Sequence, residues 1–390
     1  MNDYATSLDR STPPKPGPLT KVSFPKFEEG ILSNGLEVWT VSNHEQPIVS
    51  LSLYIRGGSA LDPRHQQGLA SSVAELLTKG TTRRSATEIA EAIDFVGGSL
   101  TASAGWDAIT VNISVLSKYL DVAIDLLSDV IQNSTFPEEE IERMRLQRLA
   151  GIRQAKADAG FLADMVFSKL VFPGHPYGQQ PIGTEQSISE MNRDKIAQFA
   201  KQYITPSNSF LTAAGDITPN EFRKHLEAAT SSWSGPARET VLSYGEASLS
   251  ARTQVGLINR EGAVQSALRV GHIGIRRSDP DFIALSALNM LLGGYFNSRI
   301  NLNLREVHGY TYGARSFFDT RMGAGPFAVS TEVRTEVTVR AVEEIVSEIS
   351  RITQVAVQED ELRMAKDYMI GSFPLQIETP QQVAGRVATI

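Results

Sequence analysis

The six histidines, His44, His65, His175, His225, His272 and His308, are scattered so that no two lie three to five residues apart. Two imidazoles that grip one metal ion from a single helical face need that spacing, so a local two-histidine metal motif is absent. Cysteine is also absent, which removes thiolate nucleophiles, disulfide frameworks and cysteine-ligated zinc. Arg305 and Tyr312 stand among glycines, Gly293-Gly294 before them, Gly309 between them and Gly313 after. By type alone, an arginine at a helix end commonly pairs with the helix carbonyls, and a strand tyrosine is more often core or interface than catalytic.

The elements that position these residues can be read from period and punctuation. Residues 1–24 are rich in proline and polar groups and are expected to form a flexible tether. Ser33-Asn34-Gly35 signals a hairpin turn, and residues 48–55 alternate at period two before Gly57-Gly58, as a strand with one buried face does. Helices are expected over 68–79 and 86–95, strands near 99–103 and 109–115, then helices over 120–131 and from 138, where three glutamates occupy the first turn. The order β, α, α, β, β, α, α recurs about 220 residues later: a strand over 268–274, helices over 281–292 and 298–307, strands over 310–318 and 326–332, and a helix, break, helix over 345–364. An ordered series at one offset argues duplication. The expected fold class is therefore α+β, with two homologous domains, each a mostly antiparallel sheet packed with helices. Their expected bounds are 25–235 and 251–390, joined by a linker at 236–250. By the repeat, the second domain is expected to lack its closing segment, as if truncated at its end.

Among 390 residues, acids and bases are interspersed to a net charge of −7. With no basic stripe, nucleic acid is not an expected partner. No apolar run approaches the length of a bilayer and no signal pattern opens the chain, so no membrane span is expected.

Two stretches carry a family resemblance over residues 27–390. Gly68-Leu69-Ala70-Ser71-Ser72-Val73-Ala74-Glu75-Leu76-Leu77-Thr78-Lys79-Gly80-Thr81 resembles the signature helix of insulinase or pitrilysin-type zinc peptidases, the inverzincins. Their H-x-x-E-H sets two zinc-binding histidines and a general-base glutamate on one helix. Here Ser71 stands at the first histidine position, Ala74 at the base and Glu75 at the second histidine, and Gly151 stands where the downstream glutamate ligand is expected. One carboxylate does not hold zinc against water, so neither metal nor cofactor is expected in this chain. Ser71 and Glu75 then read as ordinary polar residues at a helix surface, and His65 as a solvated loop residue.

The second stretch, Leu292 to Ile300 and Leu304 to Gly313, resembles the family's C-terminal half. The resemblance implies that Arg305 grips the substrate backbone or carboxylate and that Tyr312 stabilises the oxyanion of the tetrahedral intermediate. Gly309 and Tyr310 are the neighbouring substrate-binding candidates, with Tyr310 a rival for the hydroxyl role; Gln265-Ser266 opens a strand, where core and edge roles are the expectation and lining the cleft is the alternative. Gly174-His175-Pro176-Tyr177-Gly178 is another family hallmark, expected to shape a loop rather than to give a catalytic histidine. The resemblance extends to mitochondrial-processing-peptidase-like subunits, whose two-domain chains pair as halves of a clamshell. It implies a zinc-less partner subunit of a heterodimeric peptidase, supplying Arg305 and Tyr312 in trans to a homologous H-x-x-E-H chain that holds the zinc and acts on peptides. The alternatives of the same fold are a non-proteolytic scaffold and a peptide-binding homodimer. A proline-rich tether resembles the mature start of exported bacterial members, so the periplasm is the expected location, with the cytoplasm second.

Overall fold

A computed structural model describes residues 22–236 and 252–389, together with residues 11, 17, 245 and 247. Most of the expected tether and of the expected linker lie outside the described residues. The first domain comprises β1 (Glu28–Ile31), β2 (Glu37–Ser42), β3 (Ile48–Arg56), α1 (Leu69–Leu76), α2 (Ala86–Phe95), β4 (Ser99–Ala104), β5 (Ala108–Leu116), α3 (Leu120–Gln132), α4 (Glu138–Ala155), α5 (Ala159–Val171), α6 (Glu185–Ser189), α7 (Arg193–Tyr203), β6 (Ser209–Gly215) and α8 (Pro219–Thr230). Its strands form one sheet in the order β1-β2-β6-β3-β5-β4, antiparallel except for the β2–β6 pair.

Alternation decides which face of that sheet is buried. Val49, Leu51, Leu53 and Ile55 of β3 and Ile109, Val111, Ile113 and Val115 of β5 all point into the core shared with α1 and α3. α2 begins where expected because Ser85 and Glu88 form a reciprocal capping box.

The second domain comprises β7 (Gln265–Ile273), α9 (Phe282–Asn289) running into a π-helical turn (Met290–Gly294), α10 (Arg299–Asn301) running into a second π-helical turn (Leu302–Val307), β8 (Ala314–Phe318), β9 (Pro326–Arg334), α11 (Thr338–Gln354), α12 (Glu359–Ser372) and α13 (Pro380–Val387). Its sheet is antiparallel in the order β7-β9-β8. That order reproduces β3-β5-β4 of the first domain, and α11-α12 reproduces α3-α4, as the repeat predicts. Beside β3 the first sheet continues into β6 and β2, whereas among the described residues nothing pairs with the outer edge of β7. Val255, Leu257 and Ile283 are exposed.

Two of the expected elements differ in detail. The strand expected over 310–318 starts only at Ala314, because Gly309 takes a left-handed φ of 61° and the Thr311 side chain bonds the Gly313 backbone in a tight turn. The helices expected over 281–292 and 298–307 each widen into a π-helical turn, a rare geometry that often marks functional sites.

Among the described residues, the contacts that bind the domains include the following. α13 crosses back onto the first sheet, where Val383, Ala384 and Val387 pack on Val41 and Ala214. Arg269 of β7 forks onto Asp164 of α5 at 2.5 and 3.0 Å. The β8–β9 loop inserts Arg321 among Trp106, Tyr177 and Phe172, its guanidinium 4.1, 4.6 and 5.8 Å from their ring centres. Around it the Tyr177 hydroxyl donates to Asp107 at 2.8 Å and accepts the Gly323 N–H at 3.0 Å, and Asp107 accepts the Met322 N–H at 2.9 Å. The His175-Pro176-Tyr177-Gly178 hallmark therefore does more than shape a loop: His175 caps the short turn, and Tyr177 is fully buried at the domain junction. Among the described residues no helix is long and apolar enough to cross a membrane.

Candidate functional site

α1 carries the positions where zinc ligands would stand. Ala74 is fully buried and offers no donor atom, and Gly151 on α4 offers none either. Ser71 and Glu75, expected as ordinary polar residues at a helix surface, are half-buried and paired. Both are bonded to Arg148, which reaches over from α4, one helical turn before Gly151. Its Nη1 donates to Ser71 Oγ and Ser72 Oγ at 2.8 Å each and to the Gly68 carbonyl at 3.2 Å, and its Nη2 pairs with Glu75. The Arg148 side chain is 9% exposed. Hydroxyl and carbonyl oxygens already engaged by a guanidinium do not match zinc, which takes imidazole, thiolate or carboxylate donors in tetrahedral array. These residues do not fit the metal, and no chemical step in this chain runs through it. No group of three or more histidine, aspartate or glutamate side chains placed to hold a metal occurs among the described residues.

Asp62 underpins the same helix start. Its carboxylate accepts the Gly68 and Ala70 N–H groups at 2.8 Å each, satisfying amides that the first turn of α1 leaves free. Burial pushes its carboxyl up to about 7, against the opposing pull of those amides and of Arg148. The folded state therefore holds a proton more tightly than the unfolded chain between about pH 4 and about pH 7. The stability contributed by this group is greatest at low pH and falls as pH rises through that window. Urea unfolding of wild type and Asp62→Asn checks it: the stability difference in favour of wild type shrinks by about 2–3 kcal/mol from about pH 5 to about pH 8.

The second candidate site is built on the two π-helical turns. Arg305 lies on the second turn with its guanidinium carbon 4.5 Å from the centre of the Phe296 ring and its Nε 3.5 Å from Glu306. The turn is held from beneath. Leu304 is buried in the second core, Asn303 donates to Glu344 and Glu348 of α11 at 3.0 Å each, and Arg299 forks onto Glu361 of α12 with two contacts of 2.6 Å. That pairing holds the Glu361 carboxyl below its usual range. A rigid base under Arg305 limits the entropy lost when the guanidinium takes a ligand.

Tyr312 sits at the tip of the turn before β8 and is 93% exposed. Tyr310 is held differently: its ring stacks on His308 at 4.9 Å, its N–H donates to the Leu304 carbonyl, and it packs against the second core. Of the two hydroxyl-bearing candidates, Tyr312 is the one presented to solvent. An open pocket of about 490 Å³ lies beside it, lined among others by Gln265, Gly293, Phe296, Tyr312, Arg315 and Glu332. Gln265 is among the lining residues, and Phe296 links the pocket to Arg305. Gly293 is needed for close approach, since a Cβ there would stand 2.4 Å from the Ser316 amide nitrogen. Gly309 supplies the left-handed turn that swings the chain from Arg305 towards Tyr312.

Sequence reasoning missed Phe296 and Arg148. The aromatic neighbour of Arg305 lies nine residues upstream, a spacing no helical period flags. Arg148 had one signal, its place one turn before the missing carboxylate, opposite the lone acid Glu75.

Residues 37–183 match the profile of the insulinase family, peptidase family M16, and residues 190–369 that of the peptidase M16 inactive domain. The chain is 24% identical over 353 residues to an uncharacterised zinc protease, YmxG, of Bacillus subtilis, covering 90% of this chain and 85% of the relative. It is 25% identical over 346 residues to the non-peptidase homolog YmxG of Helicobacter pylori, covering 86% of this chain and 77% of the relative. The crystal structure of a peptidase M16 inactive domain from Pseudomonas fluorescens superposes with a TM-score of 0.87 at 24% identity, over 93% of this chain and 86% of that one. With both profiles matched in order and the clamshell-half fold in place, the chain belongs to the insulinase (M16) peptidase family and lacks its zinc motif.

Proposed function

We propose that this chain is the zinc-less partner subunit of a two-chain zinc metallopeptidase. In this reading the homologous sister chain holds the zinc and the general base. The present chain supplies Arg305 to grip the substrate backbone or carboxylate and Tyr312 to stabilise the oxyanion, with Tyr310 and Gly309 shaping the turn. The contrast between the two sites carries the reading. The α1–α4 site has lost its donors to Ser71, Ala74 and Gly151 and is filled by Arg148, while the 296–313 segment presents a guanidinium and an exposed phenol beside an open pocket. An arginine fork and a phenolic donor are groups that act on a developing oxyanion without a metal of their own. Substrates are short, flexible peptides, and the pair works in the periplasm.

The test is peptide hydrolysis by this chain, by an H-x-x-E-H sister and by their mixture, with zinc counted in each. Turnover is expected only in the mixture, with zinc only on the sister. Turnover by this chain alone contradicts the proposal. The non-peptidase name of the Helicobacter relative favours a second reading, a scaffold or peptide-binding homodimer, which predicts a mixture no more active than the sister.

A further inference from the structure

Loss of ligands alone would leave the space between α1 and α4 without a cation, yet one stands there. The space is crossed by a guanidinium that contacts the residue at each of the two former histidine positions, Ser71 and Glu75, and comes from the helix expected to bear the third ligand. Its surroundings suit that ion and not a metal. Ser71 Oγ, Ser72 Oγ, the Gly68 carbonyl and the Ser71 carbonyl accept from its N–H fork, and Glu75 balances its charge. A planar cation with five donors can satisfy several such acceptors at once from one side chain. The Ser72 hydroxyl is fully buried and donates to the Gly68 carbonyl at 2.7 Å, so removing Arg148 leaves its acceptor side unfilled and away from solvent.

We propose that the degenerate zinc site is a built-in guanidinium site: Arg148 replaces the metal as the cation that ties α1 to α4, and its presence shuts the site to metal. The inference holds whether or not the chain pairs with a zinc-bearing sister. It distinguishes a site that has decayed, which would accept a metal again once ligands are restored, from one rebuilt around a different ion.

Two arms test it on the full chain. In the first, Arg148→Ala lowers the melting temperature by about 5 °C, and millimolar ethylguanidinium recovers at least half of that loss, saturably, whereas ethylammonium at equal concentration recovers none. In the second, Ser71→His, Ala74→Glu, Glu75→His and Gly151→Glu are combined, with Arg148 kept or changed to leucine, and zinc is counted after gel filtration. The expected content is about one zinc per chain with Arg148→Leu and below about one tenth with Arg148 retained. Failure of ethylguanidinium to stabilise Arg148→Ala overturns the proposal. Equal zinc uptake by the two ligand-restored chains also overturns it. If the restored chains do not fold, the rescue arm decides by itself.

Discussion

Tyr312→Phe, introduced into this chain and assayed in the mixture with a zinc-bearing sister, is expected to lower kcat by about 10²–10³-fold with little change in KM. That is the loss found when one oxyanion donor is removed, since the proposed role sets the hydroxyl against charge that develops only in the transition state. Arg305→Ala is expected to act mainly on KM, lowering kcat/KM by about ten- to a hundredfold, the equivalent of one charge-assisted hydrogen bond. Tyr312 is 93% exposed, so Tyr312→Phe leaves the melting temperature unchanged. That control separates loss of chemistry from loss of fold. Steady-state kinetics of the mixture with each variant is the measurement, and a kcat untouched by Tyr312→Phe would remove the phenol from the reaction.

The second large effect lies at the domain junction. Arg321 is 9% exposed and rests against three aromatic rings of the first domain, while its ion-pair partner, Asp319, belongs to its own loop. Desolvated cation–π contacts reach about 2 kcal/mol each, so Arg321→Ala is expected to cost on the order of 3 kcal/mol or more at the junction. The loss falls on the coupling between domains rather than on either core. Scanning calorimetry is therefore expected to show one transition for wild type and two for Arg321→Ala, the second domain melting first because its three-stranded sheet has the smaller core. A single transition shifted by less than about 1 °C, roughly the change expected from an exposed substitution, would show that the aromatic cage is not what couples the domains.

How much of this could be read from sequence follows from the range of the interactions. β3 and β5 were legible because each alternates along its length, and α2 spans the residues expected of it. The duplication was legible because it repeats whole elements in order. The π-helical turns were not: Gly293-Gly294 reads as a helix end, and nothing in the local pattern of residues 302–307 departs from an ordinary helix; the first widening accompanies the close seating of Gly293 on Ser316. Tyr312 was placed on a strand because Tyr310 to Phe318 is rich in strand-forming residues, and the left-handed Gly309 overrides that propensity. Arg148 and Ser71 are 77 residues apart, and Arg321 and Tyr177 are also far apart in the chain, so neither contact leaves a periodic trace. The pairing that empties the zinc site of its expected meaning is a tertiary fact.

The central claim is that catalytic groups cross between chains, and a complementation assay tests it most directly. A zinc-bearing sister stripped of any arginine–tyrosine pair of its own is mixed with this chain, and peptide hydrolysis is followed. The account predicts that turnover persists with the wild-type chain and disappears when the chain carries Arg305→Ala and Tyr312→Phe. Turnover that survives those two substitutions, or that is abolished by stripping the sister alone, would contradict it.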